Sequence, residues 1–263
     1  MSISAAVGKN APNLGDDVAI IQALLNLNEH LLHGLPLLTE DGAFGPRTQA
    51  TIEEFQRVAV TPGSSSGVIQ PNSATLKTLR AAVDGTFSVS ILQFVMPLCA
   101  AELAARYFAA LEAAMAAVEV NTPLRCVHFL AQLGHESGSL RFAEEIASGE
   151  KYEGRKDLGN VVPGDGRRFK GRGLIQITGR SNYTAYGKAR DRDFVSGNNF
   201  TLLATDPNIA ADCSAWYWTT RKLNTLADKD DVSAITKKIN GGFNGLDDRT
   251  RRLKLAKCLM IPD

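Results

Sequence analysis

Apolar residues recur at helical spacing through most of the chain, which predicts a mostly α-helical protein with little strand. In the first 84 residues the predicted helices are Asp16–Leu27, a segment that follows Pro46, and Ser73–Val83. We expect Asp16 or Asp17 to cap the first helix and Ser73 to cap the third, because short polar side chains accept hydrogen bonds from free backbone N–H groups. A loop rich in Gly and Ser separates the second helix from the third.

After residue 97 the same periodicity predicts a larger helical unit. Its predicted helices are Leu98–Val120, a segment from Pro123, Ile209–Arg221, Val232–Ile239 and Asp247–Leu259. The best strand signal is Leu174–Ile177, where apolar and polar residues alternate. We therefore predict a small domain at 1–84, a linker at 85–97 and a larger domain at 98–263. The apolar character of the linker predicts that it docks on one of the domains.

Composition excludes several classes of protein. The chain has 263 residues, 44% of them hydrophobic, and a net charge of +1, so it is neither disordered nor basic enough to favour nucleic acid as a partner. No run of about eighteen apolar residues exists, so we expect no membrane insertion. The N-terminus lacks the pattern of a secretory signal, so we expect synthesis in a cytoplasm and reduced cysteines buried in the core.

The charge is unevenly distributed along the chain. Residues 1–85 carry five Lys and Arg against eight Asp and Glu, whereas the remainder carries 24 against 20. This change of sign indicates two units with different surfaces. A mildly basic larger unit would be assisted in meeting an anionic partner.

Two glutamates in the larger unit are candidates for acid–base chemistry. Glu136 ends an apolar helix, where desolvation favours the protonated carboxyl group. Glu145 would lie on the opposite face of one continuous helix, but Ser137-Gly138-Ser139 breaks that helix and lets the chain turn back across a cleft. Two carboxyl groups that face each other across a cleft are what glycoside hydrolysis requires. Taken alone, Glu136 is also compatible with an ordinary surface carboxylate.

A glycine-rich run at Phe169–Tyr183 predicts a polar surface near these carboxylates. Gln176 and Thr178 alternate with apolar residues, and their amide and hydroxyl groups suit sugar hydroxyl and N-acetyl groups. A phosphate-binding loop is the weaker alternative, because no G-K-[ST] sequence follows. The histidines, at His30, His33, His128 and His135, do not form H-E-x-x-H, so we expect neither a zinc site nor a cofactor.

The first 84 residues resemble the three-helix peptidoglycan-binding domains. The resemblance is carried by Ile21-Gln22-Ala23-Leu24-Leu25-Asn26, by Asp41-Gly42-Ala43-Phe44-Gly45-Pro46-Arg47-Thr48 and by Phe55-Gln56. In the second motif we expect Asp41-Gly42 to form a tight turn and Phe44 to fill the core. The resemblance implies a shallow groove for the stem peptide of the bacterial cell wall. A helical packing domain without a ligand is the alternative.

The region from Leu98 onwards resembles glycoside hydrolase family 19, a chitinase-like group that includes many phage endolysins. The blocks that carry the resemblance are Ala131–Gly138 with Glu144-Glu145, Tyr152–Arg155 with Gly164–Gly166 and Gly171–Tyr183, and Ile239–Gly242 with Asn244-Gly245 and Asp248-Arg249. It implies a lysozyme-like, mainly helical fold. The chain departs from chitin-active relatives at Ser139-Leu140-Arg141, which favours a bacterial or phage enzyme.

The resemblance also implies residue roles. Glu136 matches the general acid, Glu145 the general base and Thr178 the hydroxyl that holds the attacking water, although Glu144 adjoins Glu145 and leaves the base open to question. The substrate-binding positions that it implies are His135, Tyr152, Gln176, Asn182, Tyr183, Asn240 and Arg249, with Arg249 tuning the carboxylates. Family 19 inverts the anomeric carbon, which predicts carboxyl groups roughly 6.5–9.5 Å apart.

Together these features predict a monomeric endolysin that binds peptidoglycan glycan strands and stem peptides and cleaves β-1,4 bonds between amino sugars. We expect it to act on the cell wall after the membrane has been permeabilised. A chitinase is the nearest alternative, because the glycan backbones are similar. A zinc amidase and a non-catalytic wall-binding protein are further alternatives.

Overall fold

The computed structural model describes residues 3–32 and 34–261, so His33 lies outside the described residues. The chain forms two compact units. The smaller one comprises the chain up to Thr86 together with the segment from Lys254, and the larger one is Phe87–Leu253. The structural boundary therefore differs from the predicted division at 84 and 97, most of all at the C-terminal end.

The smaller unit is built from short helices and one pair of strands. Its elements are β1 (Val7–Gly8), α1 (Gly15–Leu27), a 3-10 turn (Glu29–Leu31), α2 (Pro46–Phe55), β2 (Val68–Ile69) and α3 (Ala74–Arg80). A π-helical turn continues α2 through Val60. The strands pair antiparallel with Val7 opposite Ile69. Apolar side chains of the three helices, among them Ile21, Phe55 and Leu79, form its buried core.

The larger unit is almost entirely helical. Its helices are α4 (Val89–Val95), α5 (Ala101–Ala117), α6 (Pro123–Glu136), α7 (Asp165–Arg168), α8 (Arg180–Ala189), α9 (Leu202–Thr205), α10 (Pro207–Thr220), α11 (Asn224–Ala227), α12 (Val232–Asn240) and α13 (Leu246–Met260). Three 3-10 turns join them at Glu150–Tyr152, Lys156–Leu158 and Asn199–Thr201. α10 packs along α5, and Trp218 meets Phe129 of α6 edge to face with ring centres 5.2 Å apart. The predicted mostly helical fold is confirmed.

Two local predictions for the smaller unit are wrong. Neither Asp16 nor Asp17 caps α1, since the capping position is Leu14 and has no side-chain bond; the buried Asp17 carboxylate accepts hydrogen bonds from Ser4 N and Ala5 N instead. Phe44 is only half-buried and lines a surface pocket, so it does not fill the core. Ser73 caps α3 as predicted, since its hydroxyl accepts a hydrogen bond from Leu76 N.

The segment predicted as a linker is an ordered helix of the larger unit. Ser88 caps α4 by accepting a hydrogen bond from Ile91 N, and the inner face of the helix, which includes Leu92 and Val95, is fully buried. Burial of that face explains the apolar sequence.

The predicted strand at Leu174–Ile177 is also wrong. These residues form a turn closed by an isolated bridge between Arg172 and Ile177. Gly173 and Gln176 both have positive φ angles, which an extended strand does not allow.

The last turns of α13 belong to the smaller unit. Lys254 pairs with Asp17 at 3.0 Å, and the Arg80 guanidinium donates to the carbonyl oxygens of Cys258 and Ile261 at 2.7 Å each. These bonds satisfy carbonyl groups that the end of a helix leaves without an internal partner. Leu255 and its apolar neighbours in this segment are buried.

Further observations concern the whole described chain. Cys99, Cys126, Cys213 and Cys258 are buried free thiols, as predicted. In the part of the chain that the structure describes, no helix is both long and apolar enough to cross a membrane. Within the same residues, no group of three His, Cys, Asp or Glu side chains could hold a metal ion.

Candidate active site

Glu136 is the last residue of α6, a helix whose body is almost wholly buried. The helix stops there because Gly138, Ser139 and Leu140 all take positive φ angles, and the Ser137 hydroxyl donates to Leu133 O at 2.6 Å at this end. The predicted break after Glu136 is therefore confirmed. It leaves 18% of the Glu136 side chain exposed at the end of a rigid support.

A buried arginine holds the Glu136 carboxylate. Arg249 of α13 is 1% exposed; its Nη2 donates to Glu136 Oε1 at 2.6 Å and its Nη1 to Gln132 Oε1 at 2.5 Å. The surroundings of Glu136 are thus not the apolar ones that the sequence suggested. Arg249 has no surface to offer a substrate, so the prediction that it binds substrate directly is wrong. Its contact with Glu136 leaves the predicted tuning role as a prediction.

His135, next to Glu136, is fixed by a second polar cluster. Its Nδ1 lies 2.8 Å from Asp248 Oδ2, and Arg252 Nε donates to the same oxygen at 2.8 Å. Burial raises the pKa of Asp248, but hydrogen bonds from Arg252 and His135 outweigh it and hold the pKa below its ordinary value. A Cβ at Gly245 would overlap the imidazole, so the ring packs directly against that backbone. The half-exposed imidazole keeps one orientation beside the acid.

Glu145 lies on the loop that follows α6, and both of its carboxylate oxygens have partners. Oε1 accepts from Tyr152 Oη at 3.2 Å and pairs with Lys151 Nζ at 2.9 Å, whereas Oε2 accepts from Gly171 N at 3.2 Å. Burial raises the pKa of Glu145, but the bonds from Lys151, Gly171 and Tyr152 together bring it below its ordinary value. The group therefore stays ionised, as a general base must be.

Glu144, the competing candidate for the base, is engaged with the scaffold. Its Oε1 pairs with Lys170 Nζ at 2.9 Å and with the buried Arg172 guanidinium at 3.1 Å. Burial raises the pKa of Glu144 as well, but the two cations outweigh it and lower the pKa. A carboxylate between two cations that belong to the fold is poorly placed to take up a proton, which favours Glu145.

The glycine-rich run lies beside Glu145 and supplies Thr178 and Gln176. Thr178 Oγ1 donates to Gln176 O at 3.1 Å, so the lone pairs of its oxygen remain able to accept a hydrogen bond from water. Gln176 Nε2 donates to Phe142 O and Gly173 O, and this side chain therefore braces two loops. A Cβ at Gly171 would meet Gln176 Oε1 and approach Glu145, so only glycine allows this packing.

The remaining predicted sugar-contacting residues divide into exposed and buried groups. Tyr152 reaches Glu145, Asn182 is half-buried with Nδ2 on Thr178 O at 2.7 Å, and Asn240 is exposed at the end of α12. Tyr183 is fully buried, with its hydroxyl donating to Lys170 O at 2.7 Å. Direct sugar contact is impossible for a side chain without exposed surface, so that prediction for Tyr183 is wrong.

Sequence reasoning missed several side chains that contact the candidate catalytic groups. Gln132 holds Arg249 and lies four residues before Glu136, so helical spacing alone places both side chains on one face of α6. Asp248 adjoins Arg249 in the sequence, which gives it no role of its own, although it contacts His135 in the structure. Lys151 left no signal, because its pairing with Glu145 depends on how the loop folds.

Comparison with known proteins relates this site to one family. A family model described as chitinase class I, glycoside hydrolase family 19, matches residues 104–244, so Arg249 lies outside the matched segment. A family 19 domain-containing protein of Haemophilus influenzae is 34% identical over 51% of this chain and 78% of its own length. An Arabidopsis thaliana endochitinase is 40% identical over 43% of this chain, which spans only 38% of that protein.

Solved structures share the fold of the larger part of the chain. Chitinase C from Streptomyces griseus superposes with a TM-score of 0.54 and 21% identity, covering 65% of this chain and 91% of that structure. A bacterial family 19 chitinase gives a TM-score of 0.53 and 22% identity, covering 64% and 94%. At this level of identity the likeness concerns the fold.

Proposed function

The chain belongs to glycoside hydrolase family 19 and is a glycosidase, and we propose that it hydrolyses β-1,4 bonds between the amino sugars of bacterial peptidoglycan. In this proposal it is an endolysin, with the larger unit cutting the glycan and the smaller unit binding the wall. It works as a monomer on the cell wall.

The proposed mechanism assigns one role to Glu136 and another to Glu145. Glu136 protonates the oxygen of the leaving sugar, and Glu145 removes a proton from the water that attacks the anomeric carbon from the other side. Thr178 accepts a hydrogen bond from the other O–H group of that water, and Tyr152 fixes one oxygen of the base. Inversion requires room for the water, so a separation of roughly 6.5–9.5 Å between the carboxyl groups remains a prediction.

The observation that carries this assignment is how Glu136, Glu145 and Glu144 differ in their position and their partners. Glu136 and Glu145 are each 18% exposed and each is fixed by neighbouring side chains, whereas Glu144 is 39% exposed, so exposure alone does not choose the base. Glu144, in contrast, pairs with two cations of the scaffold. What favours Glu136 and Glu145 as the acid and the base is that they lie on separate elements and that Glu144 already pairs with two cations.

The smaller unit supplies the argument for peptidoglycan as substrate. Its D-G-x-F-G-P-x-T motif borders a pocket of about 500 Å³, which includes Leu37, Asp41, Phe44 and Arg47. Gln22 braces this pocket from α1, since its side chain bonds to Asp41 Oδ1, Ala43 O and Gly42 N. The opening of this pocket carries both charges and exposed apolar surface. Such an opening suits a short peptide that has an amine and a carboxylate, such as a stem peptide of the wall.

Chitin is the second candidate substrate, because several relatives are named endochitinases. The same carboxylates would serve, since chitin has the same β-1,4 linkage between N-acetylated sugars. It lacks the peptide that the pocket of the smaller unit would bind. Both substrates therefore require the same carboxyl groups of the larger unit. Only peptidoglycan requires peptide binding by the smaller unit.

One experiment tests the activity and the substrate together. Purified wild-type protein and E136Q are incubated with isolated sacculi and with glycol chitin, and new reducing ends are measured with and without a chelator. We expect chelator-resistant reducing ends from sacculi and a loss of at least about 100-fold in E136Q, the usual contribution of a general acid. Release of free amines, sensitivity to chelator, or full activity of E136Q would contradict the proposal. Cleavage of glycol chitin alone would establish the second candidate.

A further inference from the structure

The exposed ammonium group of Lys151 forms an ion pair with the proposed base, Glu145. Lys151 Nζ lies 2.9 Å from Glu145 Oε1 and 4.8 Å from the ring centre of the neighbouring Tyr152, yet 62% of its side chain is exposed. General base catalysis needs the lone pairs of this carboxylate for water. The ammonium therefore competes with water for the very oxygen that Tyr152 also holds.

The loop that presents Lys151 is well anchored, so the position of the lysine is not incidental. Asn160 Nδ2 donates to Tyr152 O at 2.9 Å, and Glu150 pairs with Arg167. Gly149 begins the turn at a positive φ, and a Cβ there would overlap Gly166 O. The backbone is fixed while the long lysine side chain remains free to swing.

Little free energy is needed to separate Lys151 from Glu145. Ion pairs that water reaches contribute about 0.2–1 kcal/mol, and here water reaches the pair from the side of the lysine, which is 62% exposed against 18% for the glutamate. Lys170 and the buried Arg172 are less available than Lys151, because both already pair with Glu144. Lys151 is therefore the cation of this cluster that a substrate group can most easily recruit.

Peptidoglycan offers such a group at every bond of its backbone. Its sugars alternate, and every second sugar carries a lactyl ether that ends in a carboxyl group or continues into a peptide with carboxylates of its own. One of the two sugars that flank a scissile bond thus always carries this substituent. Chitin has the same backbone without any carboxylate.

We propose that Lys151 is a specificity-determining residue that leaves Glu145 for a carboxylate on the muramyl substituent of the substrate. An anionic glycan then frees the base as it binds, whereas a neutral glycan leaves the base paired. The inference rests on the proposed function, because it names the feature of peptidoglycan that this site distinguishes from chitin.

The test compares charged and neutral glycans across variants of one lysine. Wild-type protein, K151M, K151R and K188M are assayed for kcat/KM on amidase-stripped glycan strands, soluble intact peptidoglycan fragments and chito-oligosaccharides of equal length. K188M is the matched control, because Lys188 is an exposed lysine in the last turn of α8. Carboxymethyl chitin and glycol chitin form a second pair that differs in charge on one backbone.

We expect K151M to lower the ratio of muramyl to chitin cleavage by about fivefold, the equivalent of an ion pair of about 1 kcal/mol. Chitin cleavage itself rises, because Glu145 loses a competing partner. K151R and K188M keep the wild-type ratio, and added salt weakens the preference of the wild type. A preference on stripped strands identifies the lactyl carboxylate as the group recognised, and a preference only on intact fragments identifies a carboxylate of the stem peptide.

Two results would overturn the inference. One is a parallel change on charged and neutral glycans in K151M, and the other is an equal loss of preference in K188M. If the wild type cleaves no muramyl glycan, the proposed substrate is wrong. The role of Lys151 is then decided on carboxymethyl chitin against glycol chitin, where an unchanged ratio in K151M rejects it.

Discussion

Arg249 links the proposed acid, Glu136, to Gln132 of the same helix, α6. One guanidinium nitrogen donates to Glu136 Oε1 at 2.6 Å and the other to Gln132 Oε1 at 2.5 Å, one turn earlier in α6. Because the guanidinium is buried and planar, the carboxylate is held in one orientation relative to the helix axis. The orientation of Glu136 therefore depends on a residue of α13, more than a hundred positions away in the sequence.

Replacing Arg249 with lysine should reduce turnover more than substrate binding. An ammonium donates from one point and lacks the planar fork by which two guanidinium nitrogens reach Gln132 and Glu136 separately. Loss of one of these charged hydrogen bonds, about 1.5–3 kcal/mol, predicts a fall in kcat of about 10–100-fold. KM should stay within about twofold, since Arg249 has no exposed surface. Steady-state kinetics on a soluble glycan measure both constants. An unchanged kcat in a folded R249K protein would show that this anchoring is dispensable.

The adjacent glutamates provide a matched pair for identifying the base. E145Q should lose at least about 100-fold in kcat, because glutamine cannot accept the proton of the attacking water. E144Q should keep most of the activity, since Glu144 pairs with Lys170 and Arg172. Initial rates of both variants, with thermal unfolding as a check on the fold, distinguish them. A reversed order of the two losses would move the base to Glu144.

The partners of Glu145 also predict the acid limb of the pH–rate profile. Catalysis requires the ionised carboxylate, and its pKa lies below the ordinary value of 4.5 despite burial. Activity should therefore persist below pH 4.5 and decline only as the pH falls through that lowered value. K151M should move this limb upward, because the strongest of the pKa-lowering bonds is removed. Profiles of kcat/KM for wild type and K151M on glycol chitin provide the comparison, and coincident limbs would argue against the assignment.

Asp165 should contribute to stability in a pH-dependent way. Its buried carboxylate accepts two hydrogen bonds from Arg180 and one from Val162 N, and the bond from Arg180 is the main cause of its lowered pKa. A lowered folded pKa means that the stabilisation is present above the unfolded pKa of about 3.9 and is lost as the pH falls through the folded value.

D165N should lower the free energy of unfolding by about 2 kcal/mol at neutral pH, because charged hydrogen bonds are lost. For a unit of this size that corresponds to a fall of roughly 4–8 °C in Tm. Calorimetry at pH 7 and near pH 3 measures the difference, which should shrink at the lower pH. A difference that does not change with pH would exclude the ionised Asp165 as its source.

Binding of the wall by the smaller unit should depend on the pocket beside Asp41. Leu37 lines this pocket and is 61% exposed, so L37D adds charge to its mouth with little effect on folding. Leu14, 50% exposed and not among the lining residues, supplies the control variant L14D. Co-sedimentation with sacculi should weaken by about tenfold for L37D, the effect of losing about 1.4 kcal/mol. Equal retention of both variants would place wall binding elsewhere.

Local sequence patterns predicted much of the helical architecture. The spacing of apolar residues indicated α1, α3 and α6, and the cap at Ser73 and the break after Glu136 followed from side-chain chemistry within a few residues. Such features depend on neighbours in the chain, which a sequence displays directly. The same local logic failed at Leu174–Ile177, where positive φ angles turn an alternating pattern into a tight bend.

The sequence by itself determined that this protein is mainly helical and that it carries a family 19 arrangement of glutamates and glycines. Only the tertiary structure decided which side chains surround those glutamates. Arg249 reaches Glu136 from a distant helix, Lys151 meets Glu145 through a folded loop, and Tyr183 is buried although its motif suggested contact with sugar. These relationships arise from packing between segments far apart in the chain, and no periodicity within a single segment records them.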